Sequence, residues 1–217
     1  MASKLPPEEI RRLNSMCYFI EETKKAGIKP NAILDIGSYN GAHLQELGKE
    51  FDVDQDNMFA FEPHPGMVPH AKRRVKNVLE CAISDFDGEA EFNAIDLTQQ
   101  CHHGCSSLYS IGRPHIPTKV KVHRIDTLIE NGTLPKAIDM VKIDVEGKSY
   151  EVLDGFGKYL KQVKILHVEC ETKDCYGGQK TEKDIVEFMD KAGFRVVHSL
   201  HIPEFQDDLI FLNNNIK

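Results

Sequence analysis

Short apolar runs alternate with segments of helical period along most of this chain, and no other feature restricts its fold as strongly. Residues 32–37, 58–62, 77–84, 138–145 and 163–170 read as strands, and residues 42–51, 67–76, 149–160 and 181–192 read as helices between or after them. Strands alternating with helices in this way form a mostly parallel sheet with helices on both faces. Thr181 followed by Asp184 marks a capping box at the start of the last helix, and Gly193 ends it. Two β-type segments, 195–200 and 208–212, close the chain with no long helix between them, which predicts an antiparallel C-terminal hairpin. Further β-type segments fall near 89–95 and 119–123; in the second, Val120 and Val122 alternate with Lys119, Lys121 and His123.

An extra helix precedes this core. Ile10, Leu13, Cys17 and Ile20 recur at helical spacing over residues 7–26, with Pro6 and Pro7 before them and Gly27 as a stop. We therefore expect one domain over residues 1–217, with 1–29 as an N-terminal helical cap and 30–217 as the α/β core.

Charge and composition narrow the class. The 217 residues carry a net charge of −7 and are 41% hydrophobic, as in a globular domain. No apolar run approaches the ~18 residues of a membrane span, and the N-terminus lacks the apolar segment of a signal peptide, so the expected location is cytoplasmic. Cys17, Cys81, Cys101, Cys105, Cys170 and Cys175 show no secreted-scaffold pattern and read as reduced thiols, which makes the sequon at Asn131 irrelevant. The acidic balance argues against nucleic acid, and the basic cluster Lys72-Arg73-Arg74 with Lys76 reads as a solvated face.

Several motifs mark where chemistry is expected. Asp35-Ile36-Gly37-Ser38-Tyr39-Asn40-Gly41 joins the first sheet strand to its helix, where glycines let a ligand approach the backbone and a helix N-terminus offers unpaired N–H groups. Its G-x-x-x-G spacing is not the dinucleotide G-x-G-x-x-G. Phe61-Glu62-Pro63 puts a carboxylate at the end of the second strand, the position from which an acid hydrogen-bonds ribose in doubly wound folds. Lys142, Asp144 and Glu146 alternate with Ile143 and Val145 at the end of another strand, and charges so placed open onto a cleft more readily than into a core. Gly147-Lys148-Ser149 imitates a phosphate loop, but position 142 is lysine where that motif needs glycine. Cys101-His102-His103-Gly104-Cys105 packs its donors too tightly for one tetrahedral zinc, so no metal is expected; the polar stretch 99–117 reads as an active-site loop.

Taken together, LDIGSYNG (34–41), FEPHP (61–65), AISDFDGEAEF (82–92), SSL (106–108), RIDTL (124–128) and DMVKIDVEGKSYEVLDG (139–155) resemble the FkbM-type methyltransferases over residues 30–213. The resemblance implies a Rossmann-like class I methyltransferase fold with a mostly parallel seven-stranded sheet, and S-adenosylmethionine as cofactor. It implies that Asp35, Gly37, Ser38 and Gly41 form the methionine-side loop, that Glu62 beside Pro63 holds the ribose, and that Ile83 and Ser84 border the adenine. Tyr39 stands where the family more often has asparagine, so Tyr39 and Asn40 are kept as backbone contacts.

The resemblance further implies O-methylation of a hydroxyl on a sugar, glycan or other small molecule. Such a hydroxyl calls for a general base, worth about a hundred- to ten-thousand-fold in rate. Asp144 is the first choice, with Glu146, Glu169 and His167 in reserve. Their ordinary alternatives are a helix cap for Glu146, a surface ion pair for Glu169 and a core histidine for His167. Alternative functions are a binding module that kept the fold without turnover, and a methyltransferase acting on another acceptor class.

Overall fold

The computed structural model describes residues 15–96, 98, 106–109, 115–202 and 205–216. Helix α1 (Ser15–Lys25) is followed by strand β1 (Ile33–Ile36), helix α2 (Ala42–Phe51), β2 (Met58–Phe61), a single turn α3 (Val68–Ala71), β3 (Asn77–Leu79), β4 (Cys81–Ile83), β5 (Gly88–Ile95) and β6 (His115–His123). Then come α4 (Ile125–Glu130), β7 (Met140–Ile143), α5 (Ser149–Gly155), β8 (Ile165–Glu171), α6 (Glu182–Lys191), β9 (Phe194–Ile202) and β10 (Gln206–Asn213). Seven strands form one sheet in the order β3-β2-β1-β7-β8-β10-β9. All its pairings are parallel except those of β10 with β8 and β9, which confirms the C-terminal hairpin.

Period-two alternation sorts the strand residues onto two faces. Leu34, Ile36, Val141, Ile143, Leu166 and Val168 pack in a core with Ile125, Leu128, Val152, Leu153, Ile185 and Met189 from α4, α5 and α6. Ile33, Met58, Met140, Ile165 and Ile210 point the other way, against Met16 and Phe19 of α1 and Leu44 and Leu47 of α2. Each face thus removes a continuous apolar layer from water, at about 25 cal/mol per Å². On the second face that layer turns polar toward the C-terminal strand ends. Asp35, Lys142 and His167 share one register row, and Glu169 and Asp208 pair beyond it.

The structure departs from the sequence reading in four places. The apolar run 77–84 is two strands, because the chain leaves the main sheet at Glu80: β3 pairs with β2, whereas β4 joins β6 and β5 in a second, three-stranded sheet. Ala82, Phe92, Ala94, Val120 and Val122 bury its inner side. The segment 67–76 is helical only over Val68–Ala71 and continues as turn, with Arg74 donating to the carbonyl of Asn40 (3.0 Å). The helix read over 149–160 is α5 followed by a 3₁₀ segment, Gly157–Gln162, since Gly157 takes a φ of +51°. Helix α4 carries the RIDTL motif and was not anticipated.

Helix α1 accounts for the described part of the predicted N-terminal helix, and residues 7–14 lie outside the described residues. So does Cys101–Cys105 with most of the 99–117 loop. Cys17, Cys81, Cys170 and Cys175 are free thiols. Among the described residues no helix is long and apolar enough to cross a membrane. The basic cluster is a solvated face, with Lys72 paired to Glu80 and Lys76 to Asp56.

Candidate active site

Strand order reverses beside β1, which has β2 on one side and β7 on the other, and such a switch point leaves a crevice outside the strand ends. A cavity of about 440 Å³ occupies it. Its lining includes the turn Gly37-Ser38-Tyr39-Asn40, the strand-end group Glu62-Pro63-His64, Cys81-Ala82-Ile83 of β4, Phe92 of β5, and Lys142, Asp144, Glu146, Lys148, Glu169 and Gln206.

The glycine turn is shaped by close backbone contact. Gly37 has a φ of +78°, and a Cβ placed there would stand 1.7 Å from the carbonyl oxygen of Asp144, so only glycine lets this turn lie against the end of β7. Gly37 and Ser38 donate their N–H groups to the Phe61 carbonyl, 3.1 and 3.0 Å away. Gly41 starts α2 at a φ of +77°, where its missing side chain leaves room for Ala71 and Val75. Asn40 accepts the Ala42 N–H at 3.0 Å and steadies the same entry. Tyr39 is held at a φ of +52°, a conformation that strains any residue with a side chain and that clusters at functional sites.

Its reward is a contact to Glu62. The Tyr39 N–H donates to Glu62 Oε2 at 2.6 Å, and the His64 N–H donates to Oε1 at 2.7 Å. Each carboxylate oxygen has two lone pairs, so each can accept one further hydrogen bond, an acceptor pair that fits the hydroxyls of a diol such as ribose. Burial pushes the Glu62 carboxyl up to about 7 against the opposing pull of the two N–H donors. His64 in turn fixes the second sheet to this corner: its Nε2 lies 2.9 Å from the Ile95 carbonyl and its Nδ1 accepts the Gly66 N–H at 3.1 Å. The ring meets Phe92 edge-on.

The far wall is acidic. Asp144, one third exposed, faces the cavity from the end of β7 with Oδ2 2.9 Å from Lys142 Nζ. Burial opposes the charge on Asp144, yet Lys142 outweighs it and holds this carboxyl below the usual range. Glu169 hydrogen-bonds Asp144 and accepts the Gln206 amide at 2.6 Å. Burial, then the charge of Asp144, raises Glu169 well above the ordinary range, so Glu169 holds its proton more tightly than a free carboxyl does. His43 of α2 also lines the cavity, and desolvation followed by Lys142 keeps it below its usual range and neutral.

At the lip, Glu146 has a φ of +48° and accepts the Tyr176 hydroxyl at 2.7 Å. Tyr176 stacks on Tyr109 with ring centroids 5.5 Å apart, and Lys148 lies 4.1 Å over the Tyr109 ring. Gly147 permits this packing, because a Cβ there would come within 2.6 Å of Tyr176. Asp174 accepts the N–H groups of Gly177 and Gly178, both at 2.7 Å, and Gln179 accepts that of Tyr176 at 2.7 Å, which presets the loop that delivers the tyrosine. Glu146, Glu169 and Glu171 each bring an oxygen within 4.8 Å of the others. Protein donors already meet them, Tyr176 on Glu146, Gln206 on Glu169 and the Gly147 N–H on Glu171, so none is assigned as a metal ligand.

Of the residues predicted from sequence, Gly37, Ser38, Tyr39, Asn40, Glu62, Pro63, Ile83, Asp144, Glu146 and Glu169 line this one cavity. Asp35, Gly41, Ser84 and His167 do not. Asp35 is fully buried beneath the turn, accepting the Ser38 hydroxyl at 2.9 Å. Ser84 supports α5, its carbonyl lying where a Gly155 side chain would be. His167 is 2% exposed behind Asp208, 3.8 Å away. Glu146 does not cap α5, and Glu169 has Gln206 as partner rather than a surface lysine. His64 and Phe92 lie inside the motifs FEPHP and AISDFDGEAEF without having been singled out, and His43, Tyr176 and Gln206 were missed, since no local motif ties them to the strand ends.

A doubly wound sheet with a glycine turn after its first strand, an acid after its second and a carboxylate-lined pocket at the switch point defines a Rossmann-like methyltransferase fold. Residues 35–196 match the model of the methyltransferase FkbM domain, and the chain belongs to that family, whose members use S-adenosylmethionine. Two curated relatives are the hexuronic acid methyltransferase AglP of Haloferax volcanii, 29% identical over 64% of this chain and 55% of that protein, and the 2-O-methyltransferase NoeI of Sinorhizobium fredii, 25% identical over 74% and 72%. The chain thus spans about half the length of the first. Among solved structures, an FkbM methyltransferase of Methylobacillus flagellatus has a TM-score of 0.55 at 13% identity, covering 85% of this chain and 44% of its own. Magnesium protoporphyrin IX methyltransferase of Synechocystis, crystallised with S-adenosylmethionine, has a TM-score of 0.52 at 13% identity, covering 95% and 81%. Both likenesses concern the fold.

Proposed function

We propose that this chain is an S-adenosylmethionine-dependent O-methyltransferase acting on a hydroxyl of a sugar, glycan or other small molecule. The observation that carries the reading is a single cavity lined both by Glu62, a carboxylate fixed by the Tyr39 and His64 N–H groups, and by Asp144, a carboxylate at the end of β7 held below its usual range by Lys142. Two relatives whose names specify a hexuronic acid and a 2-O position support a sugar hydroxyl as acceptor.

When bound, the cofactor supplies a methyl group on a positively charged sulfur. Gly37, Ser38 and Tyr39 would cradle its methionine end, Glu62 would accept from its ribose, and Ile83 with Phe92 would wall its base. Asp144 would accept the proton of the acceptor hydroxyl, whose oxygen would take up the methyl that the bound cofactor supplies. Holding acceptor and donor in line reduces the entropic part of the barrier, a contribution of up to about 7 to 11 kcal/mol in well-oriented systems. Glu146 lines the acceptor side, and the Tyr176 hydroxyl holds it there.

The test is transfer of labelled methyl from S-adenosylmethionine to a panel of saccharides and their deoxy analogues. Label is expected on a saccharide and absent from the analogue lacking the methylated hydroxyl. Transfer only to amines or thiols would overturn the reading.

A further inference from the structure

Lys142 plays no part in the scheme above, yet it is the most unusual group in the molecule: a lysine 2% exposed in the middle of a sheet. Its Nζ lies 2.9 Å from Asp144 Oδ2 and 3.4 Å from Asp35 Oδ1, and that Asp35 oxygen has no hydrogen-bond partner. Lys142 and Asp35 are register partners on neighbouring strands, and Lys142 and Asp144 are two residues apart on one strand face, so the pairing is built into the sheet. A desolvated ammonium costs several kcal/mol unless well paired, and ion pairs of this kind are weak stabilisers compared with apolar residues. Stability alone therefore does not account for it.

Its surroundings do. Asp144 is faced by Asp35 from β1, His43 from α2, Glu62 from the end of β2, Lys142 and Glu146 from its own segment, His167, Glu169 and Glu171 from β8, and Asp208 from β10. Six of these nine are acids, and Lys142 alone among them is a permanent cation. We propose that Lys142 is the positioning residue of methyl transfer, tying Asp35 beneath the cofactor turn to Asp144 and holding Asp144 charged and aimed at the acceptor hydroxyl. This rests on Asp144 as the proton acceptor. Burial works against the charge of Lys142, but Asp144 and Asp35 outweigh it and hold the ammonium above its ordinary range, so it does not itself take the proton. Without that charge Asp144 would face burial and the adjacent Glu169 with its strongest counterweight gone, and its carboxyl would rise.

The test is the pH profile of kcat/KM for the wild type, Lys142→Arg and Lys142→Gln, with cofactor affinity measured alongside. Lys142→Gln is expected to move the acid limb up by at least about one unit, a roughly tenfold loss below the limb that recovers at high pH. Lys142→Arg is expected to restore the limb to within about half a unit of wild type. A Lys142→Gln enzyme slowed by one factor at every pH would overturn the proposal. Should that variant not fold, carboxyl NMR of the wild type decides, with the Asp144 signal assigned by its loss in Asp144→Asn. Asp144 ionised below the usual carboxylate value of about 4 supports the proposal, and titration at or above it overturns it. Full turnover in Asp144→Asn would instead remove the base itself, which separates failure of the underlying reading from failure of the role of Lys142.

Discussion

Gly37 and Asp144 meet backbone to backbone: a Cβ on Gly37 would stand 1.7 Å from the Asp144 carbonyl oxygen, so the cofactor turn is seated directly on the strand end that bears the acceptor-side carboxylate. The obstacle is main chain and cannot rotate away. Gly37→Ala is therefore expected to cost roughly 2 kcal/mol or more in stability, from the clash together with a φ of +78°, and to abolish cofactor binding. Thermal unfolding with calorimetry checks this, and an alanine variant that binds normally would refute the seating.

Gly147 makes the informative contrast. Its Cβ would meet the side chains of Tyr176 and Tyr109, which can shift, so Gly147→Ala is expected to fold at a cost of about 1 to 3 kcal/mol, set by its φ of +89°. Cofactor affinity should stay within about threefold while turnover falls, because displaced Tyr176 no longer holds Glu146. Equal losses in binding and turnover would contradict this division of the cavity.

Glu62 links the site to pH. Its carboxyl is pushed up to about 7 in the fold, against an ordinary glutamate value of 4.5. An acid raised on folding lends its stability fully below the unfolded value and loses it as pH rises through the folded value. Unliganded protein is therefore expected to melt at lower temperature at about pH 8 than at about pH 6, Glu171 at about 7 adding to the trend. Ribose hydroxyls donate to the charged form, so cofactor affinity should rise over the same window. Glu62→Ala should weaken binding about tenfold or more, through lost hydrogen bonds to a charged group at about 1.5 to 3 kcal/mol each, and flatten the pH dependence of affinity. Unchanged affinity would remove Glu62 from the site.

How much of this was legible in the sequence depended on whether the signal was local. Strand and helix periods gave the main sheet, and Glu62 was found because a carboxylate directly after an apolar strand stands out. The run 77–84 misled because an unbroken apolar stretch carries no mark of where a strand changes sheet, and Glu80 is the only polar interruption. Lys142 was noticed as a charge at a strand end, but its burial against Asp35 follows from the β1 to β7 register, which strand patterns do not encode. Gln206 reaches the cavity from the final hairpin, and Tyr176 reaches Glu146 at its lip from a loop, both through tertiary packing alone.

The acids Glu146, Glu169 and Glu171 face protein donors, and the account accordingly needs no divalent ion. Turnover in metal-stripped buffer with EDTA is expected to match that with added magnesium. A loss restored by magnesium would reassign the cluster.

The central claim is that Asp144 takes the acceptor's proton. Single-turnover methyl transfer by wild type and Asp144→Asn, with the same cofactor and the acceptor found by screening, tests it most directly. The account predicts cofactor affinity within about threefold and transfer slowed by about a hundredfold or more, the range general-base removal produces. Transfer at the wild-type rate in Asp144→Asn would contradict it.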